Sequence, residues 1–286
     1  MKPDSRFTGK PASFWACVRA ISQHAGYTQR DQAQVKVPSV PEMRESFARL
    51  ALAPSLIADD ADQATALATD LQSYLEYRAQ ILNAFVEPHL MDVARAKAVF
   101  QDLRRKLRPR CPLPMNKQKG EKKTPAYFTG IINMLIEDNA QGFPCDFELR
   151  ALPVITKHGI PAYVLARRVD GAFPSALNPI AVWEIKEYYY TTTFGSRVAD
   201  AVYETLLDGM EIELVRQATG VYVRHYLMVD SHYTWWECGR SYLCRIVDTL
   251  HMGYLDEVLF GSEVVDTLPG LVRQWVTAAK RAGGGR

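Results

Sequence analysis

Apolar positions recur at helical spacing through the first third of the chain and at strand-like density later, with a polar, proline-containing break between. Residues 62–86 (DQATALATDLQSYLEYRAQILNAFV) carry apolar side chains near helical spacing, contain no Gly or Pro, and meet Pro88 just beyond their end. That pattern predicts an amphipathic helix. Residues 90–107 continue in the same style, and 13–24 and 41–52 predict shorter helices. Residues 108–125 break the pattern with four prolines, a glycine and many lysines, and predict a boundary or a long functional loop. No internal repeat is visible.

After the break, residues 126–139 (AYFTGIINMLIEDN) place apolar side chains at 128, 131, 132, 135 and 136 and predict a helix. Residues 147–155, 162–173, 180–190 and 221–229 have strand chemistry. A helix over 197–207 separates the last two, with Ser196 as N-cap and Gly209 just past its end. Helices return over 241–251 and 268–279. Three consecutive strands predict an antiparallel meander, and the strand-helix-strand step predicts a crossover. The fold class is therefore α/β: a central mixed β-sheet flanked by helices, preceded by a mainly helical N-terminal region. The division is 1–107 (a helical N-terminal region), 108–125 (basic loop) and 126–286 (the unit that carries the sheet).

Composition narrows the class. Of 286 residues, 48% are hydrophobic and 23% charged, the profile of a globular protein with a substantial core. No apolar run reaches the eighteen residues of a membrane span, and the first residues lack the apolar core of an export signal. Five cysteines with no CxxC pair argue for reduced thiols and a cytoplasmic location. Six histidines show no ligand spacing, and no GxxxxGK[ST] stretch announces a nucleotide cofactor. Net charge is only +2, yet nine Lys or Arg residues against the single acid Glu121 fall between Arg104 and Lys123. Lys117, Lys119, Lys122 and Lys123 are thereby candidate contacts for nucleic-acid phosphates; a solvated basic linker is the other reading.

The most informative segment is Ile180-Ala181-Val182-Trp183-Glu184-Ile185-Lys186. Alternation puts Glu184 and Lys186 on one face of a strand whose lead-in is apolar, and partly burying such a pair is costly unless something uses it. Ala176 to Pro179 folds the strand back, and centring that turn between Leu177 and Asn178 sets Asp170 opposite Ile185. Asp170 then shares a face with Glu184 only through a one-residue slip or bulge. Asp146 and Glu148 are the alternative acids. Two carboxylates can hold Mg²⁺ beside a phosphodiester, and a neighbouring ammonium can offset the charge that develops there. The plainer readings are an Asp-Gly turn and a surface ion pair.

Asp170 followed by Glu184-Ile185-Lys186 resembles the D…ExK signature of the PD-(D/E)xK nuclease superfamily, and the element order over about 126–229 resembles its restriction-endonuclease-like core. Val169 stands where many members have proline. The resemblance implies Mg²⁺-dependent cleavage of DNA, with Asp170, Glu184 and Ile185 at the metal and Lys186 as the third catalytic residue. It also implies a further acid from the first core helix, and Glu137 is placed for that role.

Beyond the lysine, Thr192, Ser196 and Arg197 at a helix start form a candidate phosphate-binding edge; a capped helix end is the plain alternative. Arg197, Asp200 and Glu204 share a helix face by spacing, read as a solvated face, with Glu204 as an auxiliary acid the alternative. Trp235 and Trp236 contact bases, bury a partner surface or, as is more frequent for tryptophan, fill the core. The functional expectation is a Mg²⁺-dependent DNA endonuclease of the type II restriction kind in phage defence, acting on double-stranded DNA as a homodimer. The alternatives are a structure-specific or repair nuclease on DNA or RNA, and a catalytically silent DNA-binding protein of the same fold.

Overall fold

A computed structural model describes residues 1–29, 33–118, 121–190 and 196–283, leaving aside the side chains at 117–118, 121–123, 196 and 283. The first third is helical: α1 (Ala12–Ala25), α2 (Val40–Arg49), α3 (Ala66–Ile81), the single turn α4 (Glu87–His89) and α5 (Val93–Leu107). Local capping sets the starts. Ser39 Oγ accepts from the Glu42 amide while the Glu42 carboxylate accepts from the Ser39 amide, a reciprocal capping box. Thr65 and Asp92 cap α3 and α5 through the amides of Ala68 and Arg95. The helix expected from 62 therefore begins at Ala66; Asp62 lies at a positive φ of 58° and belongs to the preceding turn.

Where a basic loop was expected, β1 (Met115–Gln118) and β2 (Glu121–Pro125) form an antiparallel ribbon, closed by the Ala126 amide donating to the Pro114 carbonyl at 2.8 Å. Its polar residues have no apolar alternation, so the ribbon leaves no period-2 signal. Then come α6 (Tyr127–Asn139), β3 (Val154–Lys157), β4 (Ile160–Val164), β5 (Gly171–Phe173), β6 (Ala181–Glu187), α7 (Ser196–Thr219), β7 (Arg224–Asp230), α8 (Arg240–His251), β8 (Glu257–Phe260) and α9 (Glu263–Gly283).

The architecture is mixed α/β. One four-stranded sheet runs β5-β6-β7-β8, with β5 antiparallel to β6 and β6, β7 and β8 parallel through α7 and α8. The expected three-strand meander is not what forms. β3 and β4 make a hairpin of their own, turned at His158 and Gly159 with φ of 53° and 78°, and residue 146 reaches the main sheet only through a bridge to Ala172. The four-residue β8 was not foreseen, being too short for its alternation to register.

Alternation divides the sheet. Ala181, Trp183, Tyr226, Met228 and Leu259 pack on α6 and α9, where Trp183 stacks on Trp275 with centroids 5.5 Å apart. The other face is apolar at Val182, Leu227, Val229, Val258 and Phe260, which meet α7 and α8. Glu184 and Lys186 lie on this second face. Trp235 and Trp236 are fully buried in a π-helical turn over His232–Cys238, and the Trp235 indole N–H donates to the Lys186 carbonyl at 3.3 Å. They are core and support, not base contacts. The outer side of α7 keeps Tyr203, Leu207, Met210 and Leu214 exposed. Among the described residues no helix is long and apolar enough to cross a membrane, and all five cysteines are free.

Candidate functional site

Strand register decides whether the three signature residues meet. Gly171 pairs with Trp183, Ala172 with Val182 and Phe173 with Ala181. Continued by one residue, that register sets Asp170 against Glu184, one step from the pairing inferred from the turn. The connection over 174–180 is no tight turn, because it is pinned to β3: the Val154 amide donates to the Ala176 carbonyl and the Asn178 amide to the Val154 carbonyl, both at 2.8 Å. Gly171 is required by the Trp183 indole, which crosses it so closely that a Cβ would stand 2.1 Å from a ring carbon. The Asp-Gly pair is thus a packing feature and not a turn.

Asp170 Oδ2 accepts from the Ile185 amide at 2.7 Å. Ile185 enters the site through that N–H, while its side chain packs on the opposite face. Glu184, only 1% exposed, accepts from Arg167 Nη1 at 2.9 Å through Oε1 and pairs with Lys186 Nζ at 2.8 Å through Oε2. Two acids from α7 complete the cluster. Lys186 Nζ donates to Glu204 Oε2 at 2.8 Å, and Arg167 Nη1 donates to Asp208 Oδ2 at 2.6 Å. Glu204 and Asp208 stand four residues apart, so one helix face delivers both. Glu204 therefore joins the cluster and is no mere solvated residue, whereas Arg197 and Asp200 are exposed.

Four carboxyls face two cations, and at two of the four burial outweighs those cations. Asp170 as a residue is exposed along the cleft, but the inward side of its carboxyl is desolvated, and that desolvation first, then the Glu184 charge, raises it to about 7; solvent in the cleft screens part of this. Burial likewise raises Asp208 to about 7 against the pull of Arg167. Burial also works against Glu184, but Lys186 and Arg167 outweigh it and hold that carboxyl below its ordinary value. Lys186 is desolvated yet raised above the usual lysine range by Glu184, Glu204 and Asp170. It is a fixed ammonium. Nearby on the same face His225 bonds the Tyr254 carbonyl through Nδ1 at 2.9 Å, while its buried Nε2 has no partner.

The cluster opens onto a cleft of about 690 Å³ lined by Glu148, Arg150, Arg167, Arg168 and Asp170 among others. Arg150 and Arg168 are exposed there and form no ion pair among the described residues. The two arginines carry no periodic signal, one lying before β3 and the other between β4 and β5, and Asp208 was missed because the expected helix stopped at 207, one residue short of it, although it continues the four-residue spacing of Asp200 and Glu204.

Of the other expected residues, most lie away from the cluster. Glu137 sits on α6, on the far face of the sheet, and accepts from the Arg110 amide at 2.8 Å. The strand order sends its helix to the Trp183 side, so it does not reach the signature residues. Asp146 accepts from the Ala176 amide at 2.8 Å and braces the hairpin connection. Glu148 lines the cleft. Thr192 and Lys119, and the side chains of Lys117, Lys122, Lys123 and Ser196, lie outside the described residues.

The donor set can be tested against a hard divalent cation. Among the described residues no three Asp, Glu, His or Cys side chains already converge as a metal cage. Glu184 Oε1 and Asp208 Oδ2 do converge on one point, the Arg167 nitrogen, and buried Asp208 Oδ1 has no partner at all. All-oxygen donors with an unused lone pair suit Mg²⁺ chemically. Arg167 now supplies the positive charge.

No curated protein and no solved structure matches this chain. Residues 1–85 match a family model described as a domain of unknown function, DUF7690. Residues 91–275, which hold the sheet and every member of the cluster, match a second, a domain of unknown function, DUF7687. That match covers more than half of the chain, which therefore belongs to the DUF7687 family.

Proposed function

We propose that this protein is a Mg²⁺-dependent DNA endonuclease of the PD-(D/E)xK superfamily, with a restriction-endonuclease-like fold, serving in phage defence as a type II restriction enzyme does. The observation that carries this reading is the register that puts Asp170, Glu184 and Lys186 on one sheet face beside an arginine-lined cleft. Asp170, Glu184 and Asp208 are the residues that would hold the metal, whose part is Lewis-acid polarisation of the phosphodiester. The chain's own groups supply the rest. Lys186, paired with two carboxylates, is held as an ammonium and acts by charge on the phosphate, not as a base. Arg150 and Arg168 position the backbone by phosphate contacts that carry no sequence information.

The partners under this reading are cytoplasmic double-stranded DNA and a second copy of the chain, since a palindromic target calls for a two-fold dimer. The exposed stripe Tyr203, Leu207, Met210 and Leu214 supports the second copy. Its 4-3-4 spacing is that of a helix-pairing seam, and an antiparallel pair sets exposed Asp200 near exposed Arg216.

Plasmid incubated with Mg²⁺, with Ca²⁺ or with EDTA tests the activity. Discrete fragments with Mg²⁺ alone are expected, and Lys186→Ala should abolish cleavage while leaving most DNA binding in a gel-shift measurement. Full activity in that variant would sink the site assignment. A second reading, a catalytically silent DNA-binding protein, draws on the neutralisation of Glu184 by Arg167 and Lys186. Intact plasmid in every condition favours it.

A further inference from the structure

Arg167 occupies an unusual place. Its Nη1 stands 2.9 Å from Glu184 Oε1 and 2.6 Å from Asp208 Oδ2, and its Nη2 stands 3.3 Å from Glu204 Oε2. Glu184 and Asp208 are 1% and 0% exposed, so a negative charge on both is costly without a cation between them. A guanidinium satisfies them incompletely: Asp208 Oδ1 is buried with no donor. A small cation bound by both oxygens of Asp208 would use the atom that Arg167 leaves idle.

We propose that Arg167 is a resident counter-ion, holding closed the position that a divalent cation takes, so that arginine and metal exclude each other there. The proposal rests on the metal-dependent reading above and deepens it. Two like charges cannot share one point between the same carboxylates, so metal loading obliges Arg167 to leave. Its route is open. Arg167 belongs to the connection between β4 and β5, outside any strand, and already lines the cleft with Arg150 and Arg168. Swung into the cleft, its planar fork can grip a phosphate oxygen pair. A phosphodiester in the cleft would therefore draw Arg167 out and strengthen metal binding, and the metal would in turn strengthen phosphodiester binding by the same factor. The device keeps the buried carboxylates neutralised when no substrate is present.

Titrating purified protein with Mn²⁺, with the free ion followed by its paramagnetic resonance signal, tests this without any cleavage readout. Arg167→Ala should bind Mn²⁺ at least about tenfold more tightly than the wild type, and adding Glu184→Gln to that variant should abolish binding. Arg167→Gln, which removes the charge but keeps an N–H donor for the carboxylates, is read the same way should the alanine variant fail to fold. Equal affinity in the wild type and both Arg167 variants, lost with Glu184→Gln, would overturn the exclusion while leaving the metal reading intact. Absence of Mn²⁺ binding in every protein, the neutral Arg167 variants included, would overturn the metal reading and this inference with it.

Discussion

At Asp230 the chain buries a carboxyl completely at the end of β7, where it accepts from the Met91 amide at 2.7 Å, the Ser231 amide at 2.9 Å and the Tyr189 hydroxyl. Burial outweighs these donors and, with the Glu187 charge nearby, raises the group to about 7. The folded pKa then lies above the unfolded one, so the native state binds the proton more tightly. Its contribution to stability is present below about pH 4, is lost as pH rises from there to about 7, and is constant beyond, with a slope of at most about 1.4 kcal/mol per pH unit. Asp230→Asn removes that titration. Urea unfolding at pH 4.5 and 7.5 should show the variant gaining on the wild type at the higher pH. An identical difference at both values would show that Asp230 does not titrate in this window. Glu184 has the opposite sign, being held below its ordinary value, and contributes stability that is lost on acidification. Sequence made Glu184 and Lys186 readable as a pair, but neither sign follows from it, since each depends on the charges that folding brings near.

Among the elements, α7 departs most from what its sequence suggests. A helix over 197–207 ending near Gly209 follows from local rules, since glycine commonly stands just past a helix end. The helix instead runs through Gly209 to Thr219. The glycine is there because the Tyr254 backbone crosses it: a Cβ would stand 2.4 Å from the Tyr254 carbonyl oxygen. A glycine that marks close approach and one that ends a helix look alike in one dimension. Gly209→Ala should raise helix propensity locally and yet destabilise the protein by about 1–3 kcal/mol, because the contact is with backbone that cannot yield. Thermal or denaturant unfolding measures this, and an unchanged or raised midpoint would show that the two segments can separate at no cost. Asp208 is the neighbouring residue, so the same crossing sets the depth at which α7 presents its acids to β6.

Over the whole molecule, the helices before residue 86 are joined to the sheet unit through a buried polar knot. Arg78 on α3, with no exposed surface, donates from Nη1 to both oxygens of Asp248 on α8 at 3.1 Å and from Nη2 to Ser22 Oγ at 3.1 Å. The Tyr74 hydroxyl donates to the same Asp248 at 2.6 Å. These contacts tie the DUF7690-matched segment to the DUF7687-matched one. Arg78→Ala strands the Asp248 charge in the interior and should cost about 3–5 kcal/mol. The paired change Arg78→Met with Asp248→Leu should recover most of that loss, because no charge is left unpartnered. Denaturant unfolding of the three proteins decides it; equal loss in the single and paired variants would mean that packing volume, not charge, holds this joint.

The sequence by itself determined most helices, the α/β class and the shared face of Glu184 and Lys186, because each follows from short-range periodicity along one strand or helix. What only tertiary structure decided were long-range matters of which surfaces meet. The register of β5 on β6 was set by the pinning of residues 174–180 to β3, and it brought Asp170 to Glu184. The layering of helices sent Glu137 to the far face and Asp208 to the near one. Arg167, in a connection with no period of its own, acquired its place only when β6 and α7 closed around it.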